Sequence, residues 1–413
     1  MRSGSRPALS HKEGSRQMSW KVFSRFRHAL AAAAVGCGVA MSLAAPAGAA
    51  DLYIANDPCD LEIVAPGKGV GVANAVEAAS GDVVHLTADG FCTPQVGPVL
   101  DRVTNTFATG LVAGNGPTLD AAGVTLDLNG HSVTSLPVDL NGDGIAGDVF
   151  HECQALTPPA DCENAGVSVA NKGTTATNLS LTPSVVRDFT SGFNVSRAEG
   201  SKIVGGIVDP VAGTVAFGGG NPSRAGDAYN LRAANSRFGS TLAVDRSKVV
   251  TVDTVWLQSL TAAGGDGLGA DLKRSDQITL QNSRVDADVT GVRFKQGNSF
   301  YALRNSLVNS DGGTGVIVRT INDSGSSGGV VYGIFGNVIR GTGGDGINVG
   351  GQSRSIPISG NTIADSAAGC GLTVSLDSTV SDGNNVVVNN FTATSPLLAI
   401  NSFANNGTNL CRR

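Results

Sequence analysis

The sequence predicts an all-β protein wound into stacked coils, and the evidence is a repeated pattern, its spacing and the composition. Five short segments alternate apolar and outward-facing residues, and they begin at Gly269, Gly291, Gly315, Gly346 and Gly371. Their starts lie 22, 24, 31 and 25 residues apart, which is typical of a solenoid in which each coil contacts only its neighbours. Gly supplies 56 of the 413 residues and aromatic residues only 5%, which favours many turns and few helices.

The first 49 residues are predicted to be a signal peptide and not part of the fold. Basic residues between Lys21 and Arg27 precede the apolar run 29–45, and a small-residue cleavage site ends at Ala49. Because the run is rich in Ala and ends at this site, no membrane span is expected. Residues 50–413 then form a single solenoid domain of a secreted protein, extracellular or periplasmic, and the signal is typical of bacteria.

The charge balance argues against several classes of partner. The first 49 residues hold seven Lys or Arg and one Glu, so residues 50–413 carry a formal net charge of −11, against −5 for the whole chain. A protein this acidic is not expected to bind nucleic acid or an anionic membrane surface. We expect the exported protein to be a monomer.

Six cysteines remain after residue 49, and an even number in an exported protein predicts disulfides. Six cysteines allow 15 pairings. None has the CxxC or Cys/His spacing of a structural zinc site, so zinc is not expected. Proximity and position in the sequence favour the pairs Cys59–Cys92, Cys153–Cys162 and Cys370–Cys411.

The beginning of the solenoid is predicted from two segments. Residues 70–80 are expected to form a short amphipathic helix, which Gly81 ends before a strand that begins at Val83. Residues 123–134 alternate apolar and polar positions and contain a turn at Asn129-Gly130, so they are expected to form the first regular coil.

In this order, the two segments resemble the entry of right-handed parallel β-helix proteins of the pectin lyase-like superfamily. The resemblance covers roughly residues 60 to 395 and implies an N-terminal capping helix followed by about eight to ten coils. It implies no particular activity, because the superfamily includes lyases, hydrolases, epimerases, phage tailspikes and adhesins. The sequence motifs of polygalacturonases, alginate epimerases and pectate lyases are absent.

Two segments interrupt the repeat, and one turn recurs within it. Residues 136–165 and 209–241 are predicted to project as loops or small elements, which on solenoids often shape a binding face. In the later coils, the recurring turn is expected to stack side chains into a structural ladder formed by Asn282, Asn305, Asn337 and Asn361.

The alternation also predicts which side chains face outward. Leu272, Phe294 and Val318 are expected to point inward, so the residues beside them point out. With coils about 4.8 Å apart, these outward residues form one surface, here named the charged face. The charged face consists of Asp245, Asp271, Lys273, Arg293, Lys295 and Arg319.

The charged face is the predicted site for an acidic polysaccharide, which the protein would bind or cleave as a lyase or a hydrolase. In lyase chemistry a cation neutralises the carboxylate of the sugar, while a Lys or Arg removes the proton from the adjacent carbon. The predicted substrate-binding residues are Asp245, Lys273 and Arg319, and the predicted catalytic residues are Asp271, Arg293 and Lys295.

A second interpretation explains the same residues without a ligand. Asp271 with Arg293, and Asp245 with Lys273, are expected to form ion pairs between coils on a solvated sheet. The chain would then be a non-catalytic surface, adhesion or structural protein. A groove over the charged face would favour polysaccharide processing, and a flat, uncovered face would favour the structural role.

A candidate calcium loop follows the first coil. Its acidic and amide side chains occupy positions 1, 3, 5 and 10 of an EF-hand-like pattern, with Gly144 at position 6. No acidic residue stands at position 12, so a site would be shorter or completed from elsewhere. The alternative is a polar loop built from Asx turns. The predicted ligands of the Ca²⁺ cofactor are Asp139, Asn141, Asp143 and Asp148.

Overall fold

A computed structural model of the protein describes residues within the unit Ala47–Arg413. The predicted signal peptide lies outside the described residues except at its last position, and it stays a prediction. The described residues are 49–101, 106–147, 149–156, 164–169, 175–177, 185–187, 189, 191–196, 201–204, 207–209, 215–218, 226–229, 232–234, 240–261, 267–296, 300–321, 326–327, 330–375, 378, 380–383, 385–388 and 410–412.

The described part of the chain winds through three long parallel sheets, here named sheet 1, sheet 2 and sheet 3. From Val83 onward, each coil contributes one strand to each sheet in that order. Strands that are neighbours in a sheet therefore come from successive coils. The order and the parallel pairing define a parallel β-helix, as the sequence predicts, with eleven coils among the described residues.

Within each sheet the strands pair in the following order. Sheet 1 contains Asp51–Ile54, Val83–Leu86, Thr125–Asp127, Thr175–Thr177, Ser201–Val204, Gly226–Tyr229, Lys248–Asp253, Asp276–Gln281, Tyr301–Arg304, Gly333–Phe335, Ile356–Ser359 and Val380–Gly383. Sheet 2 contains Gly90–Cys92, Val133–Ser135, Val185–Arg187, Ile207–Asp209, Arg232–Ala234, Trp256–Ser259, Arg284–Ala287, Leu307–Ser310, Val338–Arg340, Thr362–Ala364 and Val386–Val388. Sheet 3 contains Ala75–Glu77, Glu62–Val64, Thr118–Leu119, Ala165–Val169, Ser191–Ser196, Val215–Gly218, Ser240–Asp245, Leu268–Lys273, Thr290–Lys295, Thr314–Arg319, Ile347–Gly350, Leu372–Val374 and Leu410–Arg412. A short antiparallel pair joins Ser326–Ser327 to Val330–Val331.

Inward-facing apolar side chains of the three sheets form one continuous core. Leu272, Phe294 and Val318 are register partners in successive coils, and each is at most 2% exposed. Their inward orientation is therefore confirmed. Each buried side chain of this size stabilises the fold by about 1.5–3 kcal/mol relative to exposure, so the stacked column favours a single register.

The predicted capping helix over residues 70–80 is wrong. A strand, Ala75–Glu77, occupies the centre of this segment and pairs in parallel with Glu62–Val64. Asn74 has a φ of 53°, which a right-handed helix does not accommodate. A helix of this length is marginally stable by itself. The strand instead gains a backbone partner and packs Val76 against the core.

The prediction that residues 209–241 project from the stack is also wrong for the strands that the structure describes in this range. Val215–Gly218, Gly226–Tyr229 and Arg232–Ala234 form a complete coil that lies between its neighbours in all three sheets. Strands of three or four residues separated by Gly-rich segments show too few alternations to be recognised from a periodic pattern.

The described residues between 136 and 156, in contrast, belong to none of the three sheets. They contain the helix Val149–Ala155, which lies beside an antiparallel hairpin formed by Gln95–Asp101 and Thr106–Ala113. Val149 is buried in a small apolar cluster to which both hairpin strands contribute. The apolar core of this side element is separate from the core of the three sheets.

Buried side chains form a hydrogen-bonded ladder at the corner between sheet 1 and sheet 2. The backbone N–H of Asn337 donates to Oδ1 of Asn361, and the N–H of Asn361 donates to Oδ1 of Asn385, both at 3.0 Å. Nδ2 of Asn361 also donates to the carbonyl of Ile334 in the preceding coil, at 2.9 Å. The ladder thus pairs corner N–H groups that would otherwise be buried without an acceptor.

The predicted ladder is wrong at two of its four positions. Asn282 and Asn305 are exposed, and their φ values of 49° and 47° place them at the left-handed turn position, which Asn tolerates. The next residues hold the ladder, since the N–H of Ser283 donates to Oγ of Ser306 at 3.1 Å. In later coils a Gly takes the left-handed position and the Asn becomes the rung.

One of the three predicted disulfides is confirmed, and no membrane-spanning helix is found. Cys59 and Cys92 form a disulfide across 33 residues. Cys153 and Cys370 are each disulfide-bonded. Cys162 and the side chain of Cys411 lie outside the described residues, so these two pairings stay predictions. Within the described ranges, no helix has the length and apolar character needed to cross a bilayer.

Replacing Asn361 with Ala is expected to lower the free energy of unfolding by about 3 kcal/mol, because a buried N–H and a buried carbonyl lose their partners. Asn305→Gly is the matched control, since Gly adopts the left-handed conformation readily, and its effect is expected within about 0.5 kcal/mol. Denaturant unfolding of both variants measures the difference. Equal destabilisation by the two substitutions would contradict the ladder.

Candidate functional site

The register of sheet 3 brings the predicted site residues onto one outer surface. Asp271 pairs in register with Arg293, and Lys273 pairs with Lys295. The next coil continues the second column with Arg319. These side chains alternate with the buried apolar column, so their outward orientation follows from the two-residue period of the strand.

Asp271 lies at the centre of the charged face and contacts three cations. Arg293 donates to its carboxylate through Nε and Nη2, each at 3.0 Å, in a bidentate pair. The Nζ atoms of Lys295 and Lys273 lie 3.3 and 4.0 Å from its Oδ2. Although it faces outward, Asp271 is only 7% exposed, because its neighbours cover it.

Two opposing effects act on the pKa of Asp271. Burial raises the pKa, but the hydrogen bonds and positive charges of Arg293 and Lys295 lower it by more, so the net pKa lies below the usual value for Asp. The ionised carboxylate thus supplies a negative charge beside the ammonium groups of Lys273 and Lys295. As direct register partners, those two ammonium groups would otherwise repel each other.

The predicted pair between Asp245 and Lys273 is wrong. Asp245 instead accepts hydrogen bonds from Nε of Arg274, at 2.7 Å, and from Nη2 of the same residue. Arg274 follows the strand in a left-handed conformation, with φ of 48°, and reaches back to the preceding coil. The planar guanidinium of an Arg can donate two parallel hydrogen bonds to a carboxylate, whereas the ammonium group of a Lys acts as a single point charge. The hydrogen bond from Arg274 to Asp245 raises the pKa of Arg274.

Arg319 lies at the border of the charged face and contacts backbone. Its Nη1 donates to the carbonyl oxygens of Val318 and Asn348, at 3.0 and 3.1 Å. The register partner of Arg319 is Gly350, where a Cβ would approach Nη1 to 3.1 Å. The absence of a side chain at Gly350 therefore makes room for the guanidinium. A role for Arg319 in substrate binding stays a prediction.

The side chains of the candidate calcium loop accept hydrogen bonds from backbone N–H groups of the same loop. Both carboxylate oxygens of Asp139 accept N–H groups from two Gly residues of the loop, at 2.7 and 2.8 Å. Asn141 and Asp143 each accept the N–H group two residues ahead. Among the described residues no three acidic, His or Cys side chains converge as metal ligands, and Asp148 lies outside them. The geometry is that of consecutive Asx turns, and calcium binding stays a prediction.

Sequence reasoning missed a groove of about 560 Å³ on the outer face of sheet 2. The sequence did contain a signal for it. Side chains alternate along a strand, so every second residue of Trp256–Ser259 and Arg284–Ala287 points outward. The groove is not over the charged face, so it does not favour polysaccharide processing there. Its walls include Trp256, Arg284, Asp286, Asn309, Asp311 and Arg340.

Replacing Asp271 with Asn is expected to lower the free energy of unfolding near neutral pH by about 2 kcal/mol, because three cations lose their shared counter-charge. A lowered pKa in the folded state means that Asp271 stabilises the fold above about pH 3.9, its usual pKa. This contribution is lost as the pH falls through the folded pKa.

Denaturant unfolding of wild type and Asp271→Asn at several pH values measures the effect. The difference between them is expected to shrink as the pH is lowered below about 3.9, where the wild-type carboxyl group becomes neutral too. A difference that does not change with pH would show that the charge of Asp271 is not what stabilises this surface.

Comparisons with known proteins find distant similarity to solved structures alone. No family model matches the sequence, and no curated protein sequence matches it. Among solved structures, the chain is similar to PfbA, a surface adhesin of Streptococcus pneumoniae, with 12% identity and a TM-score of 0.30. That alignment covers 75% of this chain and 84% of the adhesin.

Two further solved structures show similarity of the same order. The tailspike receptor-binding protein of bacteriophage Det7 has 8% identity and a TM-score of 0.30, over 86% of this chain and 75% of that one. An exopolygalacturonase from Thermotoga maritima has 10% identity and a TM-score of 0.25, over 82% and 84%. At these values no residue correspondence and no activity follow. The parallel β-helix fold itself rests on the strand order and register.

Proposed function

We propose that this chain is an exported protein that binds an acidic polysaccharide on the charged face of sheet 3. The observation that supports the proposal most is the concentration of cations around Asp271 and Asp245. Four cationic side chains meet these two carboxylates, a formal excess of two positive charges. Residues 50–413 carry −11 in total, so this excess is a local feature of one surface.

The two lysines have the geometry that a polymer ligand requires. Lys273 and Lys295 lie one coil apart, about 4.8 Å along the axis. Their side chains are 31% and 24% exposed, so both are partly accessible to a ligand. A polyuronate lying along the axis would meet successive cations with its successive carboxylates.

Export is supported by the chemistry of the cysteines. The disulfide between Cys59 and Cys92 is typical of proteins that fold in an oxidising compartment. An acidic polysaccharide is a ligand of cell surfaces and extracellular matrices, so location and ligand agree.

Cleavage of the bound polymer is the finer proposal. In a β-elimination, the amine of Lys295 would take the proton from the carbon beside the sugar carboxyl group. A C=C bond would form as the C–O bond to the leaving sugar breaks, and water would protonate the leaving oxygen. Arg293 and Lys273 would neutralise the carboxylate. Arg293 is poorly suited as the base, because its guanidinium already donates two hydrogen bonds to Asp271. The geometry favours binding, since the candidate base itself contacts Asp271.

A purely structural or adhesive role is the second candidate. It is favoured by the two bidentate pairs, Asp271 with Arg293 and Asp245 with Arg274, which engage both carboxylates and two of the four cations. Such pairs on a solvated sheet need no ligand to explain them.

Replacing both Lys273 and Lys295 with Gln is expected to weaken binding of polygalacturonate or alginate about tenfold, which corresponds to about 1.4 kcal/mol. Asp271 keeps its bidentate partner in this variant, so the fold is expected to remain. Wild-type binding is expected to weaken as salt is added, because screening acts on exposed charges. Titration of the polymers at low and high ionic strength measures both effects.

The control removes two charges elsewhere, with Lys68→Gln and Arg354→Gln at exposed positions outside the charged face. Equal loss of affinity in control and test variants would locate binding in overall charge and not on this surface. Absence of wild-type binding to any acidic polymer would leave the structural role. Ultraviolet absorbance of unsaturated uronides that appears with wild type and disappears with Lys295→Gln would establish cleavage.

A further inference from the structure

The groove on sheet 2 is built around a buried carboxylate, Asp286, which is 9% exposed. Its Oδ2 accepts hydrogen bonds from Nε1 of Trp256 and Nε of Arg284, both at 2.7 Å. Its Oδ1 accepts one from Nδ2 of Asn309, at 2.6 Å. Asp286 therefore holds three side chains from three successive coils in fixed orientations. Such preorganisation lowers the entropic cost of binding a ligand.

The hydrogen bonds continue to a second cation. Nε of Arg340 donates to Oδ1 of Asn309 at 3.2 Å, so the same amide links Asp286 to Arg340. The guanidinium of Arg284 lies 5.0 Å from the centre of the Trp256 ring, in a cation–π contact. Both arginines use Nε in these contacts, and both line the groove.

Two exposed carboxylates complete the groove. Asp311 and Asp365 line it, and neither side chain forms a hydrogen bond or an ion pair with another described residue. From the coil of Trp256 to the coil of Asp365 there are four steps, so the groove extends about 19 Å along the axis. Its volume of about 560 Å³ lies within the usual range for ligand sites.

The charges of the groove determine which ligand fits. Asp311 and Asp365 disfavour an anionic ligand, and Arg284 and Arg340 disfavour a cationic one. A sugar hydroxyl donates one hydrogen bond and accepts others, so it can bridge a carboxylate and a guanidinium at once. An uncharged ligand with many such hydroxyls can therefore form hydrogen bonds with both the carboxylates and the guanidinium groups of the groove.

We infer that this groove is a second binding site, for a neutral oligosaccharide chain, formed by Trp256, Arg284, Asp311, Arg340 and Asp365. It does not depend on the proposed function of the charged face, because the two surfaces belong to different sheets and share no residue. The charged face has an excess of positive charge, whereas the groove combines two arginines with three carboxylates.

The fluorescence of Trp256 provides a direct test. The chain contains two Trp residues, and Trp20 lies in the predicted signal peptide. Trp20→Phe in the full chain therefore leaves Trp256 as the sole Trp emitter. The full chain with this substitution is titrated with neutral hexasaccharides of glucose, xylose, mannose and N-acetylglucosamine. At least one is expected to change the emission saturably. Asp311→Asn and Arg340→Gln are each expected to weaken that binding tenfold or more.

Both substituted residues are exposed, so the variants are expected to melt at the wild-type temperature. Lys273→Gln in the charged face is the control and is expected to bind the neutral hexasaccharide as wild type does. Weaker polygalacturonate binding in that control, with neutral binding intact, would separate the two sites. The inference is overturned by the absence of a saturable change with every hexasaccharide, or by groove variants that bind as tightly as wild type.

Discussion

Stacking of each coil on the next through parallel backbone hydrogen bonds is the constraint on which the rest of the structure depends. Within the sheets every strand finds a partner, but the corners between sheets leave N–H groups buried without a strand neighbour. Each unpaired group would cost about 1–3 kcal/mol. Side chains supply the missing acceptors: Asn337 and Asn361 do so after sheet 1, and Ser275 and Ser353 do so before it. The polar corners thus allow the apolar core to continue uninterrupted.

The same stacking determines the chemistry of the exterior. Leu272 and Phe294 are register partners inside, so their neighbours Asp271 and Arg293 must be register partners outside. Because side chains alternate between the two faces of a strand, a slip by one residue would move charges into the core. The buried apolar face therefore specifies the register. The bidentate pair of Asp271 therefore does not need to direct the fold. Apolar packing sets the register, and the outer ion pair follows from it.

How much could be predicted from the sequence depended on the length of the repeating signal. The last four residues of Thr290–Lys295 alternate apolar and charged side chains, so sheet 3 and its outward column were predictable. Val215–Gly218 shows only two alternations within a Gly-rich segment, too few to distinguish a strand from a loop. Residues 70–80 fit a helical period equally well, and only the pairing with Glu62–Val64 decides for a strand. The partner of Asp245 depended on a left-handed turn, which the pattern of apolar residues does not encode.

Sheets 2 and 3 show how one fold can carry two different surfaces. On sheet 3, cations enclose Asp271 and the surface is left positive. On sheet 2, neutral donors and one arginine satisfy Asp286, and Asp311 and Asp365 remain open to solvent. Outward columns contribute little to the core, so their composition can change without cost to the register. The parallel β-helix therefore specifies the spacing of outer side chains along its axis, while the residues of each outward column determine the electrostatics of that face.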